Sequence, residues 1–486
     1  MKTKTIMNQI ALAGACALPL ASAGAGNSLE IKMKKKPNII LINCDDLGYG
    51  DLGCYGSQRN HTPTIDALAA EGTRFTDFYM PASVCSPSRA GMYTGCYPAR
   101  IGFDTFDGLN AHNKPVLCPG DPTGLNPSEI TFAEILKEQG YATKLVGKWH
   151  CGDQPEFLPT QHGFDSYFGL PFSNSDARSK WKPTGQPLPL MRDTDVIEQQ
   201  PQQADLTARY VEECSQFIEA NQNEPFLLCL AHMYVHTPLY VPDEFMKNSE
   251  NGKYGGAVAA IDWALSVMLR QLKELGIEEN TLILFTSDNG SYLQSPITDV
   301  TGGSNDPLRG WKGCTWEGGI RLPLIARWPG KIPAGRECSE LITAMDFLPT
   351  FAALADGTVP TDRTIDGHDI TDILLDRPNA ASPYEAYCYY LKDKMTSIRS
   401  GKWKLWFQEK ELYNLEEDIA ETVNLYADHP HIVEKLDRLA DRYRQELGDS
   451  LQGIQGNQRR PVGHVENPKP LTEYHPDHPY TVSLYD

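Results

Sequence analysis

Four apolar runs, each ending just before a polar cluster and separated by segments of helical period, constrain this chain's fold more than any other feature. They are Asn38 to Ile42, Ala142 to Val146, Phe226 to Leu230 and Thr281 to Phe285. Near-continuous apolar runs mark strands covered on both faces, as in a parallel sheet sandwiched by its own crossover helices. The intervening segments supply those helices. One is expected from Pro63 to Ala70, with Thr62 as N-cap, Pro63 in the first turn and Gly72 as the stop. Ser128 is read as the cap of a second, whose Phe132, Ile135 and Leu136 share a face. A third spans about Leu206 to Ala220 and a fourth about Val258 to Leu275. The alternation predicts an α/β fold with a large, mixed, mostly parallel sheet flanked by helices.

Ligands of such sheets bind beyond the carboxyl ends of the strands. The clusters found there are Asp45-Asp46, Lys148-Trp149-His150, His232 to His236, and Asp288-Asn289. They are expected to converge on one rim.

Both ends of the chain read differently. Lys2 and Lys4 precede an apolar stretch from Ile10 to Leu20 and then small residues to Ala25, the form of a secretory signal cut after Ala23. Residues 1–23 are therefore read as a signal peptide, and the protein as secreted or periplasmic. Ala13-Gly14-Ala15-Cys16 also loosely resembles a lipoprotein site, which would tether the protein through Cys16. No later segment approaches the roughly 20 apolar residues of a transmembrane helix. The catalytic domain is placed at 37–376. A turn-rich linker follows, then a smaller α+β subdomain at 384–450, with antiparallel strands at Tyr384 to Tyr390, Thr396 to Ser400 and Trp403 to Phe407. Ile432, Leu436, Leu439, Tyr443 and Leu447 mark the apolar face of its helix. Residues 451–486, rich in Pro, His and Asn, read as an extended tail.

The net charge of −19 becomes −21 when Lys2 and Lys4 leave with the signal, which argues against a nucleic-acid partner. An anionic substrate would need a local cluster of cations and metal inside an acidic molecule. The 12 cysteines follow no C-x-x-C metal pattern, and removal of Cys16 leaves an odd number. Two adjacent acids after a strand are commonly a solvated turn. Asp45-Asp46 gains meaning beside Asp288-Asn289, because three carboxylates and one amide carbonyl suit a hard cation, calcium before magnesium, and not zinc.

Val84-Cys85-Ser86-Pro87-Ser88-Arg89, continued to Thr94-Gly95, resembles the signature of the type I sulfatases, in the arylsulfatase A and N-acetylgalactosamine-sulfatase branch. Other segments are similar to the same family: Pro37 to Asp51, Gly147-Lys148-Trp149-His150, His236-Thr237-Pro238-Leu239, and Leu308 to Arg321. The resemblance runs from Pro37 to about Gly448. It departs at Cys96, where the family usually has arginine, and at Cys151, where leucine is commoner.

The resemblance implies an alkaline-phosphatase-like fold and a sulfatase acting on a sulfated saccharide or aryl sulfate ester. It implies that a formylglycine-generating maturation enzyme oxidises Cys85 to formylglycine. The hydrate of that aldehyde supplies one hydroxyl to attack sulfur and a second whose proton loss releases sulfate, which serine or cysteine cannot do. Asp45, Asp46, Asp288 and Asn289, with position 85, would hold the metal. Arg89, Lys148 and Lys312 would form the cationic cradle. His236 would protonate the leaving oxygen and His150 would hydrogen-bond the diol. Ser173 and His232 are weaker substrate-contact candidates. Specificity is sought in the loops Phe103 to Lys114 and Asn174 to Lys182, with Asp104, His112, Asp176 and Arg178 named. A phosphoester or phosphonate hydrolase, or a non-catalytic carbohydrate-binding relic, are the competing readings.

Overall fold

The computed structural model describes residues 36–108, 111–176, 185–292 and 302–480. The expected signal, Cys16 and Arg178 lie outside these residues. The body is an eleven-stranded mixed sheet with helices on both faces. Its central strands are β1 (Asn38–Cys44), β2 (Thr73–Tyr79), β3 (Ala142–Lys148), β4 (Ser166–Leu170), β5 (Phe226–Ala231), β6 (Thr281–Ser287) and β7 (Arg321–Arg327). They lie in the order β2-β7-β6-β1-β5-β3-β4. From β6 to β4 all neighbours are parallel, whereas β7 runs antiparallel to both β6 and β2. The four strands expected from the apolar runs form the parallel centre. Strand β1 is buried along its whole length, as a strand covered on both faces must be.

The flanking helices are α1 (Pro63–Ala70), α2 (Cys85–Thr94), α3 (Phe132–Glu138), α4 (Leu206–Ala220) and α5 (Gly252–Glu274). Two expected boundaries need correction. Helix α3 is capped by Thr131, not Ser128: the Thr131 side chain accepts from Glu134 N–H while Glu134 bonds back to the Thr131 N–H. Helix α5 begins at Gly252, ahead of the expected Val258, because Gly255 and Gly256 sit where a Cβ would press on Ser249 and Met246. Their helical cost is offset by close packing.

Near the C-terminus a separate four-stranded antiparallel sheet comprises β8 (Tyr387–Leu391), β9 (Lys394–Ser400), β10 (Trp403–Trp406) and β11 (Glu411–Asn414). Helix α6 (Pro430–Leu447) buries Leu436, Leu439 and Leu447 in a common cluster with Met395, Ile398 and Leu405 of this sheet. The segment after it is bonded at several points: Gly463–His464 pairs with Thr123–Gly124, and Arg459 and Arg460 reach Asp104 and Glu129. Among the described residues no helix is long and apolar enough to cross a membrane.

Candidate active site

Register brings the polar clusters to one level. Asn43 of β1 stands opposite Ala231 of β5 and Thr286 of β6, Cys44 opposite Ser287, and Ala231 opposite Gly147 of β3. Asp45, Asp288, His232 and Lys148 therefore sit at the carboxyl edge of adjacent parallel strands. Gly147 makes the tight spacing possible: with φ of 106°, any Cβ would fall 2.0 Å from the Ala231 carbonyl oxygen. Asp46 and His150 take left-handed backbone at φ of 65° and 62°, a conformation non-glycine residues adopt at a cost.

Cys85 enters from α2. Val84 is extended and Cys85 begins the helix, while Gly95 ends it in the left-handed region with its N–H on the Gly91 carbonyl. All ten residues of α2 are buried. Arg89 lies one turn below Cys85 on the same face. Its Nε donates to Asp288 Oδ2 at 2.8 Å and its Nη1 to the Lys148 carbonyl at 2.9 Å, while its Nη2 lies 2.7 Å from Asp288 Oδ2 as an ion pair. Ser88 Oγ donates to the Asp288 carbonyl at 2.5 Å. The helix carrying position 85 is thus bolted to the strand ends carrying the acids.

Cys85 Sγ and one carboxylate oxygen each of Asp45 and Asp288 all lie within 4.8 Å of one another, and a second such group joins Cys85, Asp46 and His236. Lys148 Nζ donates to Asp45 Oδ2 at 2.7 Å. Lys312 Nζ lies 2.6 Å from Asp46 Oδ1. Asn289 Nδ2 donates to Asp46 Oδ1 at 2.8 Å, which fixes its amide carbonyl on the opposite side. Burial alone would raise the Asp45 carboxyl, but Lys148, His236, Arg89 and Lys312 together hold it well below the usual carboxylate range. Burial pushes the Cys85 thiol up, so as an unmodified residue it is a poor thiolate despite Lys148 and Lys312 nearby.

Exposure divides the cluster into a floor and a mouth. The side chains of Arg89, Lys148, Asp45 and Asp288 are 1% exposed or less, whereas those of Lys312 and His236 are 10% and 12% exposed. His236 Nδ1 lies 2.7 Å from the Thr237 carbonyl and Nε2 3.8 Å from Asp46. Burial, aided by Lys312, lowers its pKa to about 4.

The remaining candidates stand further back. His150 Nε2 bonds the Leu117 carbonyl at 3.0 Å, while its buried Nδ1 has no partner among the described residues. His232 is wholly buried beside Tyr210 and Tyr234, and its Nδ1 accepts the Tyr234 N–H at 3.0 Å. Ser173 follows the Pro171 carbonyl that accepts the His150 N–H, and its Oγ pairs with Ser175 Oγ at 3.0 Å. Asp104 corrects an expectation: it is 4% exposed and salt-bridged to Arg459 at 2.8 Å, so it is consumed by the tail rather than presented to a ligand. Asp176 lies in a short 3-10 turn with its N–H on the Ser173 carbonyl. His112 falls in a short strand at Ala111–Lys114, and its side chain lies outside the described ones. At Cys96, the tail supplies what the local segment lacks: Arg460 Nη2 lies 3.3 Å from Cys96 Sγ and its guanidinium pairs with buried Glu129. Sequence reasoning missed the unpartnered buried oxygens, Asp45 Oδ1 and Asn289 Oδ1, which only coordinates can reveal.

An α/β sheet whose carboxyl edge gathers acids, permanent cations and a helix N-terminus defines a hydrolase of anionic esters. The chain belongs to the sulfatase family: the model described as Sulfatase matches residues 37–358, and that described as N-sulphoglucosamine sulphohydrolase, C-terminal, matches 310–446. It is similar to the N-acetylgalactosamine-6-sulfatase of Canis lupus familiaris, 40% identical over 80% of this chain and 74% of the relative. It is also similar to the arylsulfatase of Hemicentrotus pulcherrimus, 39% identical over 79% and 69%. Among solved structures, Ps i-CgsB in complex with k-i-k-neocarrahexaose superposes with a TM-score of 0.74 at 30% identity, covering 87% of this chain and 97% of that one. The protein is a sulfuric ester hydrolase.

Proposed function

We propose that this enzyme removes sulfate from the ends of sulfated saccharides, through a formylglycine made from Cys85 and a calcium ion held by Asp45, Asp46, Asp288 and Asn289. The observation that carries the reading is the position of Cys85 Sγ within 4.8 Å of carboxylate oxygens from both acidic segments. The donor set fits a hard cation: it is all oxygen apart from position 85, and Asp45 Oδ1 and Asn289 Oδ1 are buried acceptors with no hydrogen bond among the described residues. When bound, the ion supplies Lewis acidity, and the hydrated aldehyde supplies the attacking hydroxyl and a second one that frees the product.

The chain's own residues bind, orient and move protons. Asp45, Asp46 and Asp288 face Arg89, Lys148 and Lys312, so the fixed charges balance three against three. A divalent cation added to that cluster gives the excess of positive charge that an anionic ester needs. Arg89 and Lys148 at the floor, with the N-terminus of α2, receive the sulfate oxygens. The mouth, where Lys312 and His236 retain exposure, receives the bridging oxygen and the alcohol beyond it. The Thr237 carbonyl holds a proton on His236 Nδ1, leaving Nε2 to face the leaving oxygen. An anionic ester beside that ring supplies the attraction that keeps a second proton on Nε2 for delivery. His150, donating from Nε2 to Leu117, leaves Nδ1 to accept a proton from position 85. His232 and Ser173 support the rim.

In this reading residues 1–23 export the enzyme, 37–376 form the catalytic domain and 384–450 the small subdomain. The maturation enzyme acts on the segment around Cys85. The test is hydrolysis of matched aryl sulfate and aryl phosphate esters. Preference for sulfate is expected; faster phosphate cleavage would return the site to the phosphoester hydrolases.

A further inference from the structure

Five large apolar side chains are exposed among the described residues, and two of them neighbour the lysine at the mouth of the pocket: Trp311, next to it in sequence, at 51%, and Tyr292, next to it in space, at 40%. The Tyr292 ring centre lies 6.0 Å from Lys312 Nζ, which itself lies 2.6 Å from Asp46 Oδ1. One ammonium group therefore separates this ring from the metal-binding acids. Trp311 sits on the turn that carries Lys312, and that turn is fixed from two directions outside it and closed by a bond of its own. The Lys312 N–H donates to the Ser291 carbonyl at 3.2 Å, the Gly313 N–H to the Ser83 carbonyl at 2.8 Å, and the Cys314 N–H to the Trp311 carbonyl at 3.1 Å. Ser83 stands two residues before Cys85 and Ser291 two after Asn289, so the backbone bearing the indole is tied to both catalytic segments.

Packing does not explain these two rings. Trp316, five residues further along, has Arg309 3.5 Å above its ring and Trp406 at a centroid distance of 4.0 Å. Trp311 has most of its comparable surface in water, a cost that a ligand face would recover. A rigidly mounted aromatic ring loses little entropy on contact and offers both an apolar face and, in tyrosine, a hydroxyl. A pyranose ring is the matching shape, with C–H bonds on its faces and hydroxyls around its edge. The sulfate occupies the cationic floor, so the ring that projects from the mouth meets this pair.

We infer that Trp311 and Tyr292 form a saccharide-binding rim, stacking on the pyranose ring just outside the sulfate pocket and so favouring saccharide sulfates over compact sulfate esters. This rests on the sulfatase reading above. The probe is the sulfated disaccharide that the wild type cleaves fastest within a defined panel. Trp311→Ala is expected to raise its KM about tenfold, the scale of losing one aromatic contact and its burial, with kcat little changed. Trp311→Phe should recover most of that loss, and Tyr292→Ala should raise KM in the same direction. Competitive inhibition by inorganic sulfate, which has no ring, should be unchanged in all three.

A KM within about twofold of wild type in Trp311→Ala and Tyr292→Ala would overturn the rim while leaving the enzyme a sulfatase, as twofold is below the value of one such contact. An equal weakening of inorganic sulfate would also overturn it, by showing that the rings shape the anion pocket instead. Wild-type protein that cleaves aryl sulfates but no saccharide in the panel would remove the rim and the saccharide specificity, leaving a sulfatase. Wild type that cleaves no sulfate ester would remove both readings.

Discussion

Two buried charge clusters share the segment from Lys312 to Arg321, and only one of them has capacity left over. The first is the candidate active site, with Asp45, Asp46 and Asp288 against Arg89, Lys148 and Lys312. The second joins the large sheet to the small one, with Asp77, Glu317 and Glu421 against Arg321, Arg399 and Lys404. Both balance three acids with three bases. In the second, Glu317 Oε1 accepts from Lys404 and Tyr389 at 2.9 and 2.8 Å, and Oε2 from Tyr79 at 2.5 Å. Burial would raise the Glu317 carboxyl, but Lys404, Arg321 and Arg399 bring it down to about 2. No polar atom of this cluster is buried without a partner among the described residues, whereas the active site keeps Asp45 Oδ1, Asn289 Oδ1 and His150 Nδ1 unmatched. Charge balance does not separate a structural network from a functional one; unspent hydrogen-bonding capacity does.

The comparison can be broken at its strongest point first. Lys404→Met strands two buried carboxylates and should cost about 3–5 kcal/mol in urea unfolding, with the specific activity of folded protein retained. Lys312→Ala should do the reverse, lowering kcat about 10²–10³-fold while costing less stability than Lys404→Met. If Lys312→Ala destabilises the fold as much as Lys404→Met, the two clusters are not different in kind. Calcium sharpens the contrast because, of these two clusters, it is the candidate active site that has acceptors to spare among the described residues. At a hundredfold its Kd it should add about 2.7 kcal/mol to wild-type stability, and this increment should vanish in Asp45→Asn yet persist in Lys404→Met.

A smaller effect concerns the histidines. Burial alone lowers His162 to about 4, and both its ring nitrogens lack partners among the described residues. A histidine depressed in the folded state contributes stability that is complete above the unfolded pKa and lost as pH falls toward the folded one. His162 should therefore contribute a loss of about 1.4 kcal/mol per pH unit between about 6.5 and 4, and His162→Asn should reduce the slope of that arm of the stability profile by about that amount.

The active site was largely legible because its residues follow apolar runs, and because Cys85, Pro87, Ser88 and Arg89 stand in a compact motif. The parallel centre of the sheet was legible for the same reason: burial on both faces leaves an unbroken apolar signature. The second charge cluster was not. Asp77 and Tyr79 lie in β2, whose TRFTDFY pattern shows no simple alternation, and the strands of Arg399 and Lys404, KMTSIRS and WKLW, show none either. Their partners are up to hundreds of residues away, and periodicity carries no information about pairing. The Thr131 cap is written in the sequence as Thr-x-x-Glu, but Ser128, three residues earlier, is an equally good capping residue by type, and only the hydrogen bonds decide between them. The union of Arg459 and Arg460 with Asp104 and Glu129 depends on where the tail returns, which composition does not say.

The central claim is that the group at position 85 works as an aldehyde hydrate among three carboxylates and three cations. Peptide mass spectrometry across Cys85, on active protein purified from its native host, tests it most directly. Formylglycine at that position is the predicted result; an intact cysteine in fully active enzyme would contradict the account.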